Sequence, residues 1–131
     1  MSLILDTSIL IAIERQDKNV IHRVIELSKV HPGSPSISFF SLFEFLWGVR
    51  ERNIKNKGKA SSFLNNFTIL HTTKKTADIL VGLRSSLEKS GKIFPIADLF
   101  IASQVIEAQG VLVTTDRDFL NIPDVSCEVV T

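Results

Sequence analysis

Short apolar runs alternate along this chain with longer segments whose apolar residues recur at helical spacing. The short runs are typical of β-strands, which we expect at about residues 3–5, 36–38, 67–70, 111–115 and 127–130, the last at a sheet edge. Strands that alternate with helices build α/β units with a parallel sheet. The pattern therefore predicts an α/β fold of three layers, in which helices flank a central, mainly parallel sheet.

The first three helices follow from apolar spacing and from capping residues. Thr7 or Ser8 is the candidate N-cap of a helix directly after the first strand. A second helix is expected near residues 20–30, where apolar residues recur at helical spacing. A third helix opens at Ser38 or Ser41 and runs to about residue 52.

The second half of the chain adds further helical segments. A polar turn is expected at residues 53–59, and a helical segment at residues 60–65 follows it. Proline is common at helix starts and glycine at helix ends. Two longer helices are accordingly expected between the candidate cap Thr73 and Gly91, and between Pro95 and Gly110.

Composition indicates a globular protein. The chain has 131 residues, of which 44% are hydrophobic and 22% charged, and we expect a single domain over residues 1–131. No apolar stretch approaches the ~20 residues of a membrane span, and the N-terminus lacks the positive start of a signal peptide. The single cysteine, Cys127, favours a reducing cytoplasm and a structural role for this thiol. His22, His31 and His71 lack metal-ligand spacing and are expected on the surface or in packing contacts.

Four acidic residues lie where an apolar strand ends or an apolar helix begins: Asp6, Glu44, Asp98 and Asp116. Asp6 and Asp116 each follow a predicted strand, at the edge where α/β sheets bind ligands. A carboxylate in apolar surroundings must be protonated, paired or bound to a cation. If the fold gathers all four, a divalent cation bound through oxygen keeps them charged. Such a site suits phosphodiester cleavage by a metal-activated water.

Each acid also has a local explanation. Asp6 suits a helix N-cap or an Asx turn, and Asp116 suits a turn. Glu44 stands three residues after Ser41, in the order of a capping box. Asp98 falls in the first turn of its helix, where a carboxylate gains ~0.3–1 kcal/mol from the helix dipole. The ordered set of four is harder to explain locally than any single member.

A basic segment follows the helix that carries Glu44, in a chain whose net charge is only +1. Its residues are Arg50, Arg52, Lys55, Lys57 and Lys59, diluted by Glu51. A local patch of this kind suits a polyanion. The alternative is a solvated helix end and loop, where Lys and Arg suit the C-terminal helix dipole.

Four short motifs carry a family resemblance. They are Asp6-Thr7-Ser8, Ser41-x-x-Glu44, Pro95-x-x-Asp98 and Thr114-Thr115-Asp116-Arg117-Asp118-Phe119. In order and spacing, these motifs resemble the PIN domain over nearly the whole chain. The compact length is similar to that of the VapC-type toxins of prokaryotic toxin–antitoxin pairs.

The resemblance implies a Mg²⁺- or Mn²⁺-dependent ribonuclease. With RNA as the implied substrate, we predict that the basic segment of Arg50, Arg52, Lys55, Lys57 and Lys59 binds RNA. The residues that match the catalytic, metal-binding acidic quartet of the family are Asp6, Glu44, Asp98 and Asp116. The residues that match supporting positions are Thr7, Ser8, Thr114 and Asp118. For Asp118 three roles stay open, because it can bind metal, orient Arg117 or cap the turn before Phe119.

The resemblance also implies a homodimer and a small antitoxin protein as partner. Within nine positions lie the aromatic residues Phe39, Phe40, Phe43, Phe45 and Trp47. Residues of a helix point all around its axis, so some of these rings are expected to extend beyond the core into a groove for an amphipathic helix. The alternative is a helix that is buried on all sides.

Three other functions compete with a toxin ribonuclease. A housekeeping PIN-domain nuclease that processes RNA has the same active-site residues, and only an adjacent antitoxin gene separates the two. A phosphate-receiver signalling domain needs paired acids directly after its first strand, whereas Ile4 and Leu5 precede Asp6 here. A non-catalytic nucleic-acid-binding module does not need the intact acidic quartet.

Overall fold

A parallel sheet forms the centre of the fold. The computed structural model describes residues 1–52 and 57–130, and of Lys57 only the backbone. The strands are β1 (Leu3–Leu5), β2 (Ser36–Ser38), β3 (Thr68–Leu70), β4 (Val111–Thr114) and β5 (Cys127–Val129). They pair in the order β3–β2–β1–β4–β5, and each of these pairings is parallel. The predicted α/β fold with a central parallel sheet is confirmed, and β5 lies at an edge as expected.

Helices connect the strands. The first four are α1 (Thr7–Glu14), α2 (Lys18–Val30), α3 (Phe39–Glu51) and α4 (Lys57–Leu64). The others are α5 (Lys74–Lys89), α6 (Ile96–Ala108) and a short 3₁₀ helix (Arg117–Asn121). Across the described ranges, none of these helices has the length and apolar character needed to span a lipid bilayer.

Successive residues of the central strands point to opposite faces of the sheet. Leu3 and Leu5 of β1 pack with Phe45 and other apolar residues of α1, α2 and α3. Ile4 of β1 and Leu112 of β4 lie opposite each other in register and pack on the other face with α5 and α6. The sheet is therefore buried on both faces, as parallel sheets require, and this arrangement produces the three predicted layers.

Some helix boundaries differ from the sequence prediction. The N-cap of α1 is Asp6 rather than Thr7 or Ser8. The helical segment expected at residues 60–65 begins earlier, at Lys57, because the first turn of a helix can be polar and needs no apolar contact. Residues 53–56 of the predicted polar turn lie outside the described residues.

The start of α3 decides between two predicted caps. The Ser38 hydroxyl accepts a 3.0 Å hydrogen bond from the backbone N–H of Ser41, and the helix begins at Phe39. Ser38 is therefore the N-cap. The capping box proposed for Ser41 and Glu44 is wrong, because Ser41 already lies inside the helix and is fully buried.

The two ends of α6 also correct the prediction. Pro95 is the N-cap rather than part of the first turn, and Gln109, with φ 54°, is a left-handed C-cap in the place expected for Gly110. Gly110 serves another purpose. A Cβ atom there would lie 2.6 Å from Ile4 Cδ1 and 2.9 Å from the backbone oxygen of Ser2, so only glycine lets the chain pass this close to β1.

Candidate active site

The carboxyl ends of β1 and β4 lie side by side, because these strands are neighbours in the sheet. Asp6 directly follows β1, and Asp116 is the second residue after β4. From β1 the sheet continues to β2 and β3 on one side, and to β4 and β5 on the other. Such a reversal of strand order leaves a crevice outside the carboxyl ends, where α/β proteins bind ligands.

Hydroxyl groups hold the carboxylate of Asp6. The residue is buried, with 6% of its surface exposed. Its Oδ2 accepts hydrogen bonds from Thr114 Oγ1 at 2.7 Å and from Ser8 Oγ at 3.2 Å. Although Asp6 occupies the N-cap position of α1, its side chain makes no capping hydrogen bond. The N-cap explanation therefore accounts for its backbone but not for its carboxylate.

The same two hydroxyls tie this carboxylate to the segment after β4. Thr114 Oγ1 accepts a 3.0 Å hydrogen bond from the N–H of Asp116, and Ser8 Oγ accepts a 3.2 Å bond from the N–H of Thr115. Asp116 Oδ1 accepts a 2.9 Å bond from the N–H of Asp118 and so caps the 3₁₀ helix. The turn role weighed for Asp116 is thus observed, and it fixes the carboxylate beside the crevice.

Glu44 turns away from the start of its own helix. Its Oε1 accepts a 2.7 Å hydrogen bond from Thr7 Oγ1 in the first turn of α1. The predicted supporting residues Thr7, Ser8 and Thr114 therefore each contact a member of the acidic quartet. The hydrogen bonds that these hydroxyls donate orient the carboxylates of Asp6 and Glu44.

Asp98 reveals how closely the acids are grouped. Its pKa is raised from 3.8 to about 6. Burial is the largest cause, and the negative charges of Asp116, Asp6, Glu44 and Asp118 raise the pKa further. A helix dipole favours a charged carboxylate in a first turn, so the dipole does not explain this upward shift. Burial also raises the pKa of Asp6, while its hydrogen bonds to Thr114 and Ser8 act in the opposite direction. The structure thus brings the four predicted acids, together with Asp118, to one place.

The negatively charged oxygens of carboxylates are suitable ligands for a hard divalent cation. In residues 1–52 and 57–130, no three Asp, Glu, His or Cys side chains already stand as a set of metal ligands. This finding is compatible with the raised pKa values, because charges interact over several ångströms whereas metal ligands lie about 2 Å from the ion. Mg²⁺ keeps several waters and needs only one or two carboxylates directly. The donor set therefore fits a hydrated Mg²⁺ or Mn²⁺.

The predicted RNA-binding residues differ in their surroundings. Arg50 and Lys59 are exposed. Arg52 Nη1 lies 3.2 Å from Glu14 Oε1, and Arg52 Nε donates a 3.1 Å bond to the carbonyl of Gly48. Lys55 lies outside the described residues, and the side chain of Lys57 is not described. RNA contact by these residues stays a prediction.

The histidines and the cysteine take no part in this crevice. His22 pairs with Glu26 on α2, His31 Nδ1 contacts the Met1 carbonyl at 2.8 Å, and His71 is exposed. Burial raises the pKa of the Cys127 thiol, which disfavours the thiolate. These side chains behave as surface or packing residues, as expected.

Gln104 is a buried polar residue that was not among the predicted site residues. Gln104 on α6 is 1% exposed, and its amide contacts the backbones of Phe39 and Leu70. The sequence does carry a signal, because Ser103 and Gln104 are the polar residues in an otherwise apolar stretch from Leu99 to Val105. A polar side chain in such a stretch needs a buried partner.

Comparisons with known proteins identify the family of this chain. The family model of the PIN domain matches residues 3–125. Ribonuclease VapC2 of Rickettsia felis is 31% identical over 132 residues, which cover 98% of this chain and 97% of that protein. The chain therefore belongs to the PIN-domain family, as its motifs predict.

Solved structures show the same fold. VapBC2 from Rickettsia felis, bound to a DNA fragment from its promoter, superposes with a TM-score of 0.88 at 30% identity and covers 100% of both chains. VapBC-5 from Mycobacterium tuberculosis, a member of the VapBC family of toxin–antitoxin systems, superposes with a TM-score of 0.71 at 22% identity, covering 99% of this chain and 98% of that chain. The second match concerns the fold alone.

Proposed function

We propose that this chain is a Mg²⁺- or Mn²⁺-dependent endoribonuclease that acts in the cytoplasm as the toxin of a prokaryotic type II toxin–antitoxin pair. The observation that carries the proposal is the grouping of carboxylates at the carboxyl ends of β1 and β4, where the Thr114 hydroxyl bonds to both Asp6 and the N–H of Asp116. In keeping with this grouping, the charges of the neighbouring acids add to the effect of burial in raising the pKa of Asp98. The relative named as a ribonuclease supports RNA as the substrate, and the similar VapBC structures support an antitoxin as partner.

Phosphodiester hydrolysis needs a nucleophilic water, a neutralised phosphate and a stabilised leaving oxygen. A divalent cation held at this crevice would supply this chemistry by lowering the pKa of water and by neutralising phosphate charge. Its proposed ligands are Asp6, Glu44, Asp98 and Asp116. Thr114 and Ser8 keep Asp6 aligned, and Thr7 does the same for Glu44. The acids alone repel a phosphate, so RNA binds productively only at the loaded site.

Cleavage of a labelled RNA in Mg²⁺, Mn²⁺ or EDTA tests the enzyme. We expect EDTA to abolish wild-type cleavage, and Asp6→Asn or Asp98→Asn nearly to abolish it in either metal without unfolding the protein. Asp78→Asn is the matched control, because Asp78 is an exposed acid on α5, and it should cleave normally. Wild-type rates in both site variants would rule out a metallonuclease. RNA binding without metal binding or cleavage would favour the non-catalytic module.

An apolar stripe on α3 supports a protein partner. The α3 stripe consists of Phe39, Phe43, Leu46 and Trp47, which are 47–52% exposed. Phe45, in contrast, is buried in the core at 1% exposure. Some aromatic rings of α3 therefore extend beyond the core, and the alternative of a helix buried on all sides is wrong. Their contact with a partner helix stays a prediction.

A groove beside the α3 stripe suits an antitoxin helix. It has a volume of about 290 Å³ and is lined by Leu46, Val49, Arg50, Ala60, Ser61 and Leu64 of α3 and α4. Amphipathic helices commonly bind by placing their apolar face in such a groove. An antitoxin Arg in the acidic crevice would pair with carboxylates and compete with the metal. A homodimer completes the proposed assembly.

Co-expression with the product of an adjacent small gene tests the toxin role. We expect a complex on size exclusion, loss of RNA cleavage in that complex, and a homodimer of the chain alone. Phe43→Ser and Trp47→Ser should weaken the inhibition, whereas Val81→Ser, at a 69% exposed apolar site on α5, should not. An active monomer that neither binds the product nor is inhibited by it would favour a housekeeping nuclease.

A further inference from the structure

Gln104 joins three elements of the fold through one buried amide. It lies on α6 with 1% of its surface exposed. Its Oε1 accepts a 2.8 Å hydrogen bond from the N–H of Phe39, the first residue of α3. Its Nε2 donates a 3.0 Å hydrogen bond to the carbonyl of Leu70, the last residue of β3. Both ends of the amide are therefore satisfied.

The partners of Gln104 are backbone groups at the ends of elements. The first N–H groups of a helix have no acceptor within the helix. At the start of α3, the hydroxyl of Ser38 accepts from Ser41, and Gln104 accepts from Phe39. Without the Gln104 amide, the Phe39 N–H and the Leu70 carbonyl lose these partners, each within a partly buried contact. The position of α3 against α6 is thus fixed by a directional contact.

The four acids of the quartet lie on two kinds of element: two follow paired strands, and two lie on separate helices. The pairing of β1 with β4 fixes Asp6 and Asp116 relative to each other. Glu44 and Asp98, in contrast, lie on the separate helices α3 and α6. Strand pairing does not determine how far apart two helices lie, whereas the amide of Gln104 connects these two directly.

We propose that Gln104 is a positioning residue, which sets the separation of Glu44 and Asp98 by holding α6 against the start of α3. The inference rests on the proposed metal-dependent function. Gln104 is 1% exposed and its amide bonds to the backbones of Phe39 and Leu70, so we expect it to act through the two carboxylates rather than on a ligand directly. Residues that orient metal ligands typically change metal affinity or activity by about 10–100-fold when replaced.

Gln104→Met tests the proposal, because methionine has a similar length but can make neither hydrogen bond well. In metal-free protein, we expect faster hydrogen exchange at the Phe39 amide. In a Mn²⁺ titration, we expect affinity to fall about tenfold or more. The Mn²⁺ concentration for half-maximal RNA cleavage should rise by a similar factor. Gln104→Glu keeps an acceptor for the Phe39 N–H and should fall between wild type and Gln104→Met.

Two controls on α6 separate positioning from stability, with each variant measured well below its Tm. Val105→Ala removes part of a buried apolar side chain and destabilises the same helix. Ser103→Ala removes a buried hydroxyl that bonds only within the helix, to the carbonyl of Leu99 at 2.7 Å. Both controls should keep the wild-type Mn²⁺ midpoint, because neither breaks the contact with α3.

The outcomes are distinct. Wild-type Mn²⁺ affinity in both Gln104 variants overturns the positioning role, and so does an equal shift in Val105→Ala. If the positioning role fails in this way while the wild type still cleaves RNA with Mn²⁺, the proposed nuclease function stands. A wild-type chain that neither binds Mn²⁺ nor cleaves RNA overturns the nuclease function and the positioning role together.

Discussion

The hydroxyl of Thr114 donates a 2.7 Å hydrogen bond to Oδ2 of Asp6. The same oxygen of Thr114 accepts a 3.0 Å hydrogen bond from the N–H of Asp116. Thr114 ends β4 and is fully buried, so one side chain connects the acids that follow two neighbouring strands. Hydrogen bonds to a charged carboxylate are stronger than those between neutral groups. Thr114 therefore orients Asp6 and opposes the rise in the Asp6 pKa that burial causes.

Thr114→Val is expected to reduce RNA cleavage about tenfold or more, by analogy with other groups that orient metal ligands. Valine has the same shape but leaves the Asp6 carboxylate and the Asp116 N–H without this partner, which costs about 1–3 kcal/mol of stability. Thr114→Ser retains the hydroxyl and serves as the control. Cleavage rates at saturating Mn²⁺ and urea unfolding measure the two effects. Wild-type cleavage by the valine variant would contradict the role given to this bond.

The raised pKa of Asp98 predicts a specific pH dependence of stability. Between the unfolded pKa near 3.8 and the folded value of about 6, the folded state binds more protons than the unfolded chain. Stability contributed by this group therefore falls as the pH rises through that window. In metal-free buffer, Asp98→Asn should lose less stability than wild type between pH 4 and 7, and Mg²⁺ should stabilise wild type selectively at pH 7. Parallel Tm curves for the two proteins would exclude this coupling.

The basic segment is expected to bind RNA through its phosphates. Removing one such ionic interaction should lower the slope of log affinity against log salt by about 0.7 for single-stranded RNA. Arg50, Lys57 and Lys59 are replaced together by Ala in the inactive Asp98→Asn background. Replacing Lys18, Lys29 and Lys89, which are exposed on α2 and α5, removes equal charge elsewhere. Equal slopes in both triple variants would favour the solvated-surface alternative.

Gly110→Ala tests the close passage of the chain over β1. The added Cβ would lie 2.9 Å from the backbone oxygen of Ser2, so the strand or the loop must shift. We expect a loss of about 1–3 kcal/mol in the free energy of unfolding, as for other overpacked sites. Gly82→Ala on α5 has no heavy atom within 4 Å of its Cβ and should instead stabilise by about 0.5–1 kcal/mol. Urea titration measures the change in the free energy of unfolding for both variants. A Gly110→Ala variant as stable as wild type would show that β1 shifts at little energetic cost.

Local sequence patterns were sufficient for the framework of this protein. Strands and helices follow from the spacing of apolar residues, and parallel strands place their carboxyl ends along one edge. The proximity of Asp6 and Asp116 is therefore predictable from sequence, because each lies within two residues of the end of a buried strand. The boundaries of α4 and α6 were less predictable, since polar first turns and a left-handed Gln109 leave weak signals.

The partners of the polar side chains were decided only by the tertiary structure. Glu44 had a plausible local partner in the Ser41 backbone, yet it accepts a hydrogen bond from Thr7, 37 positions away. Asp6 is bonded to Thr114 across 108 positions, and Gln104 to Phe39 across 65. Local and distant hydrogen bonds have similar net energies of about 1 kcal/mol. The sequence therefore does not show which of these hydrogen bonds forms. The packing of strands and helices decides it, because packing determines which donors each carboxylate or amide can reach.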